Sequence, residues 1–189
     1  MNNYEYIIAC LPVLGEKAAL DRDAIMEGIR SQCSPADNAL IDILADSFDP
    51  GKLDSAFYAG ALSCRNSFLR QYLMWDLQVR NTKARYLNRA LGRPEDTDTI
   101  DLPGALDYDG EESVQAVLSG PDILERERGL DSLMWDKAEK LVELHLFDID
   151  VILSFIARLN IADRWNKLDP QRGRALFKRL VDEIRQTRQ

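Results

Sequence analysis

The sequence predicts an all-α fold, an antiparallel bundle of long helices. Three observations carry this reading. Glycine and proline are scarce, 10 and 7 among 189 residues, too few for a turn-rich all-β chain. Apolar residues recur at intervals of three, four and seven over long stretches, the period of a helix face. The breaks coincide with cap and stop signals, such as Ser34-Pro35 and Gly92 followed by Pro94. With 46% apolar and 30% charged residues the chain has globular composition. A chain of this length buries roughly 70% of its unfolded surface without needing staples.

The run Tyr4 to Leu11 is a short strand or a first helical turn, and periodicity leaves both open. A helix with Ala24, Ile25, Met26 and Ile29 on its apolar face follows and ends near Cys33. Ser34 as cap, Pro35 at the first helical position and Asp37 in the first turn start the next. Its apolar face is Leu40, Ile41, Leu44 and Ala45, and Asp49-Pro50-Gly51 breaks it. From Leu53 to Leu91 there is no proline and one glycine, Gly60. This predicts a helical stretch of up to roughly 38 residues, or about 57 Å.

Residues 95–112 have no period and predict a loop or disordered linker. Glu111 to Leu118 is a short helix and Gly120-Pro121 a break. Long helical patterns run from Asp122 to His145 and from Phe147 to Leu168, either continuous or with a break near His145 to Phe147 that no glycine or proline signs. Asp169-Pro170 starts a last helix to about Arg185, with Leu176, Phe177, Leu180, Val181 and Ile184 as its stripe. The division is thus an N-terminal helical half (1–94), an acidic linker (95–112) and a C-terminal helical half (113–189), packed as one domain overall. Leu-Met-Trp-Asp occurs at both Leu73–Asp76 and Leu133–Asp136. This is either an internal duplication, giving two related helical units, or coincidence.

The net charge of −8 is unevenly spread. Residues 65–94 carry seven bases and one acid, and residues 95–112 carry eight acids and no base. An acidic balance argues against bulk binding to nucleic acid or anionic lipid. Arg65, Arg70, Arg80, Lys83, Arg85, Arg89 and Arg93 stand along one predicted helix. They form a solvated face, pair with the acidic linker, or meet an acidic partner protein.

Chemistry is hard to assemble. Cys10, Cys33 and Cys64 form no CxxC pair and no disulfide framework. There is no phosphate-binding GxGxxG or GxxxxGK[ST] loop and no Gly-x-Ser-x-Gly elbow. His145 is the one histidine, so a cysteine nucleophile has little choice of base. Glu143, His145, Asp148 and Asp150 lie close in sequence. Read as continuous helix, however, Glu143 and His145 stand about 200° apart and the two aspartates point elsewhere. No catalytic residue, cofactor or metal ligand is assigned on this basis. No stretch is apolar enough for a membrane span or a signal peptide, and the expected location is cytoplasmic.

Two stretches, Leu69 to Gly92 and Leu130 to Leu141 with Phe147 to Trp165, together with the opening Asn3 to Pro12, resemble an uncharacterised bacterial family encoded in V-type ATP synthase gene clusters. That family is similar to a shortened form of the C-type stalk subunit of V/A-type ATPases, the d-type subunit of eukaryotes. The link rests on Asp76-x3-Arg80-Asn81-x3-Arg85-x3-Arg89. The resemblance implies an all-helical, non-catalytic subunit that joins the central stalk to the membrane rotor ring. Its partners would be central-stalk subunits and that ring, at the cytoplasmic face of the membrane, with no cofactor. Arg80, Asn81, Lys83, Arg85 and Arg89 are the expected partner surface. Other readings are an adaptor or assembly factor for the same complex, or a metal-binding helical enzyme.

Overall fold

The computed structural model describes residues 2–15, 20–103 and 108–168. The helix expected from Asp169 onward lies outside them. The described residues are all-helical: α1 (Glu5–Ala9), α2 (Arg22–Arg30), α3 (Pro35–Asp46), α4 (Ser55–Leu62), α5 (Ser67–Leu91), α6 (Glu111–Leu118), α7 (Ile123–Lys140) and α8 (Ile149–Lys167). A 3-10 turn, Pro50–Lys52, occupies the break expected after α3.

The ambiguous opening run is helical, as α1. Its entry is fixed by Tyr4, whose backbone N–H donates to the carbonyl of Phe147 at 2.7 Å. Helix α3 begins as its sequence dictates. The Ser34 hydroxyl accepts from the Asp37 N–H at 3.1 Å, and Pro35 fills a position that has no helical acceptor to lose.

The single helix expected over Leu53–Leu91 is two. No proline or glycine stops it between α4 and α5. Instead, the Asn66 side chain accepts from the Leu69 N–H at 2.8 Å and so restarts the helix. The carbonyl of Cys64, freed by the break, takes a hydrogen bond from Arg70 Nη1 at 2.9 Å. Helix α5 is then 25 residues long, about 37 Å. It ends at Gly92, whose φ of 66° is open to glycine at little cost.

Helix α7 runs antiparallel to both α5 and α8. Trp75 and Lys83 of α5 face Lys137 and Glu127 of α7. Ser154 and Arg164 of α8 face Ala138 and Asp131. The middle of α8 is buried on every side, through Ile152, Leu153, Phe155, Ile156, Ala157 and Leu159. An element apolar all round belongs at the centre, and each such large side chain contributes roughly 1.5–3 kcal/mol by its burial. Two polar side chains interrupt this run: the buried Ser154 hydroxyl donates to the Ala138 carbonyl at 2.7 Å, and half-buried Arg158 pairs with Glu139 at 2.6 Å. Buried residues from α1 through α8 form a single cluster, to which Ile100 and Leu102 of the acidic segment add. Among the described residues no helix is long and apolar enough to cross a membrane.

Candidate functional site

The basic half of α5 and the acidic segment that follows it are built together. Asn81, expected on a partner surface, is instead buried beneath the segment. Its amide donates to the Ile100 carbonyl at 2.8 Å and accepts from the Ile100 N–H at 3.0 Å. Two turns on, buried Asn88 donates to the carbonyls of Glu95 and Thr97 at 3.0 and 2.7 Å. Asn88 carried no signal in the sequence beyond its spacing of seven from Asn81. Outside this amide pair, Arg85 meets Asp96 at 3.1 Å and Arg89 meets Glu95 at 3.3 Å. Residues 95–103 therefore form a loop laid back on α5, and pairing with the acidic segment is realised at two arginines.

The other two cations pair elsewhere. Lys83 pairs with Glu127 of α7. Arg80 pairs with Asp76, one turn back, at 2.7 Å. Asp76 also accepts the Tyr58 hydroxyl at 2.7 Å, and Tyr58 is fully buried. Burial first, then the Asp76 charge, pushes the Tyr58 hydroxyl far up, so it stays a donor. Burial works against the Arg80 charge, but the Asp76 charge outweighs it and holds the guanidinium more firmly protonated.

At this end of the bundle α5 and α7 are joined by Lys83–Glu127 and by Arg126 over the Tyr86 ring, and large apolar side chains stand exposed near them. Leu87 and Leu91 lie one and two turns beyond Lys83, and Ile123 one turn before Glu127. Leu91 is 65% and Ile123 74% exposed, and Leu87 and Leu124 are exposed beside them. Arg85 and Arg89 each stand about 200° round α5 from the leucine two residues on, so they belong to another face, the one that meets the acidic segment.

A second constellation lies in the α7–α8 connection, which resolves the open question near His145 as a break that begins already after Lys140. Helix α7 ends at Lys140, and Asp148 restarts the chain by accepting from the Asp150 N–H at 3.1 Å. The turn brings together residues that a continuous helix would separate. His145 Nδ1 stands 2.6 Å from Asp148 and 3.8 Å from Asp150. Burial raises the Asp150 carboxyl above its usual range, against the hydrogen bond from Asn66. Glu143, in the same sequence cluster, is exposed on the turn.

A groove between α7 and α8 encloses a cavity of about 560 Å3, lined by Asp131, Trp135 and Trp165 among others. Trp165 stands at the contact of the two helices, where its indole N–H donates to Asp131 at 2.6 Å. Arg164 pairs with the same carboxylate, and Arg128 lies over the Trp165 ring at 4.9 Å. Burial raises Asp131 more than Arg164 lowers it. The two Leu-Met-Trp-Asp copies sit differently. Trp75 packs on Tyr108 and under Lys137, whereas Trp135 lies under Arg158.

Fold and site define a helical protein with a laced basic face, whose histidine is engaged by carboxylates rather than by a nucleophile. Residues 50–188 match the family described as Protein of unknown function (DUF2764), and the chain belongs to that family. No curated protein and no solved structure matches it.

Proposed function

We propose that this chain is a non-catalytic docking subunit of a V-type ATPase, joining central-stalk subunits to the membrane rotor ring from the cytoplasmic side. The observation that carries it is the group of exposed apolar side chains Leu87, Leu91 and Ile123. Exposed apolar side chains grouped on one surface suit a partner helix with an apolar face. The resemblance of Asp76 to Arg89 to a stretch of the C-type stalk subunit supplies the identity of the partner. The reading assigns no reaction to the chain and no insertion into the membrane.

The test is affinity purification of the tagged full chain from its own cells. Stalk or ring subunits at a fixed stoichiometry support the reading, and Leu87→Glu with Leu91→Glu should remove them while the helical circular dichroism stays unchanged. Substoichiometric, transient association would support an assembly factor instead. Purification of the chain without any ATPase component would overturn both.

A further inference from the structure

We propose that His145, Asp148 and Asp150 form a binding site for one divalent transition-metal ion, zinc by preference. The proposal is independent of the docking reading. One donor atom from each residue lies within 4.8 Å of the other two. Each carboxylate has one oxygen fastened to the scaffold and one turned to the imidazole. Asp148 Oδ1 accepts the Asp150 N–H, and its Oδ2 faces His145 Nδ1. Asp150 Oδ1 accepts the Asn66 amide, and its Oδ2 stands 3.8 Å from Nδ1, too far for a hydrogen bond. Ligands whose second atoms are held by neighbours are the usual support around a bound ion.

The electrostatics point the same way. Asp150 is only 8% exposed, and no lysine or arginine pairs with either carboxylate among the described residues. Two carboxylates withdrawn from water beside one imidazole leave negative charge that a cation would neutralise. One nitrogen and two oxygen donors suit zinc, with water completing the shell. Zinc bonds of about 2.0–2.2 Å place tetrahedral ligands roughly 3.3–3.6 Å apart. The 3.8 Å separation has little to close, and the 2.6 Å hydrogen bond opens when the ion takes the place of its proton.

The ion would act as a clip. The turn it gathers is tied to the start of α5 through Asn66 and to α1 through the Tyr4–Phe147 hydrogen bond. Three separate parts of the chain meet there, so binding adds to stability by mass action.

The experiment is calorimetric titration of zinc chloride into the metal-free full chain, with a cobalt(II) spectrum alongside. One zinc per chain is expected, with a rise in melting temperature. The cobalt spectrum should lack a thiolate charge-transfer band, which separates this site from Cys10, Cys33 and Cys64. His145→Ala and Asp150→Asn should each weaken binding at least tenfold and remove the thermal shift. Asp150→Asn keeps the shape and the acceptor for Asn66, so it serves if the histidine variant folds poorly. Substoichiometric uptake, a thiolate band, or unchanged zinc affinity in Asp150→Asn would overturn the site.

Discussion

The Trp75 indole lies directly on the backbone of Gly110: a methyl group added at residue 110 would stand 1.8 Å from the Cη2 carbon of the ring. Gly110 precedes α6 and offers no side-chain cap, so the start of that helix is set by this closeness. Tyr108 and Lys137 hold the ring from other sides at 5.0 and 4.5 Å. Gly110→Ala should destabilise the protein by about 1–3 kcal/mol, the usual cost of overpacking. Urea unfolding measures it. Combining it with Trp75→Leu should cost less than the two changes summed, because the clash goes with the ring.

Asn81→Ala should release the acidic segment. It strips both hydrogen bonds from the Ile100 backbone, at about 1–3 kcal/mol for groups left unsatisfied. Hydrogen exchange at residues 95–103 should rise sharply. Asp96→Asn breaks only an exposed pair and should change exchange little. Equal exchange in the two variants would remove the amide from its anchoring role.

Asp37 gives a pH dependence with a defined sign. Burial works upward on its carboxyl, but hydrogen bonds from Tyr4, Ser34 and Asn2 outweigh it and hold it below the usual range. A carboxyl lowered on folding stabilises fully above its unfolded value of about 3.9 and loses that contribution as pH falls through the folded value. Asp37→Asn should therefore be less stable than the parent at pH 7, with the gap closing as the solution is acidified below that range. Urea midpoints measured across this range read it directly.

Tyr58→Phe removes the buried donor to Asp76 but leaves Arg80 in place. It should cost about 1 kcal/mol. Asp76→Ala strands the Tyr58 hydroxyl and unpairs the Arg80 guanidinium together, and should cost more than Tyr58→Phe. Thermal unfolding of the two variants ranks them; a reversed order would deny Asp76 its central place.

The helical fold was legible because its signals are local. Ser34-Pro35, Gly92 and the leucine spacings each act within a turn or two of the chain. Two junctions, 63–66, where continuous helix was expected, and 141–148, where a break was one of two open readings, are made by cap residues rather than by glycine or proline. Asn66 also finds a tertiary partner, Asp150, 84 residues away, whereas the second partner of Asp148 is His145, three residues back. The same local limit hid the His145 cluster, since helix geometry forbids what the turn creates. Of the five residues singled out on α5, the four cations were found from charge alone. The role of Asn81 depends on Ile100, 19 residues away, and no spacing rule reaches that far.

Amide anchoring of the acidic segment has a consequence for salt. Ion pairs between exposed groups weaken as the screening length shrinks, to about 8 Å at physiological ionic strength. The bonds from Asn81 and Asn88 to backbone carbonyls carry no net charge and persist. Glu95 and Asp96 can thus let go of Arg89 and Arg85 while the backbone beneath them stays in register. On the docking reading proposed above, a partner's carboxylate would then exchange with one already there, on a surface that does not have to refold to receive it.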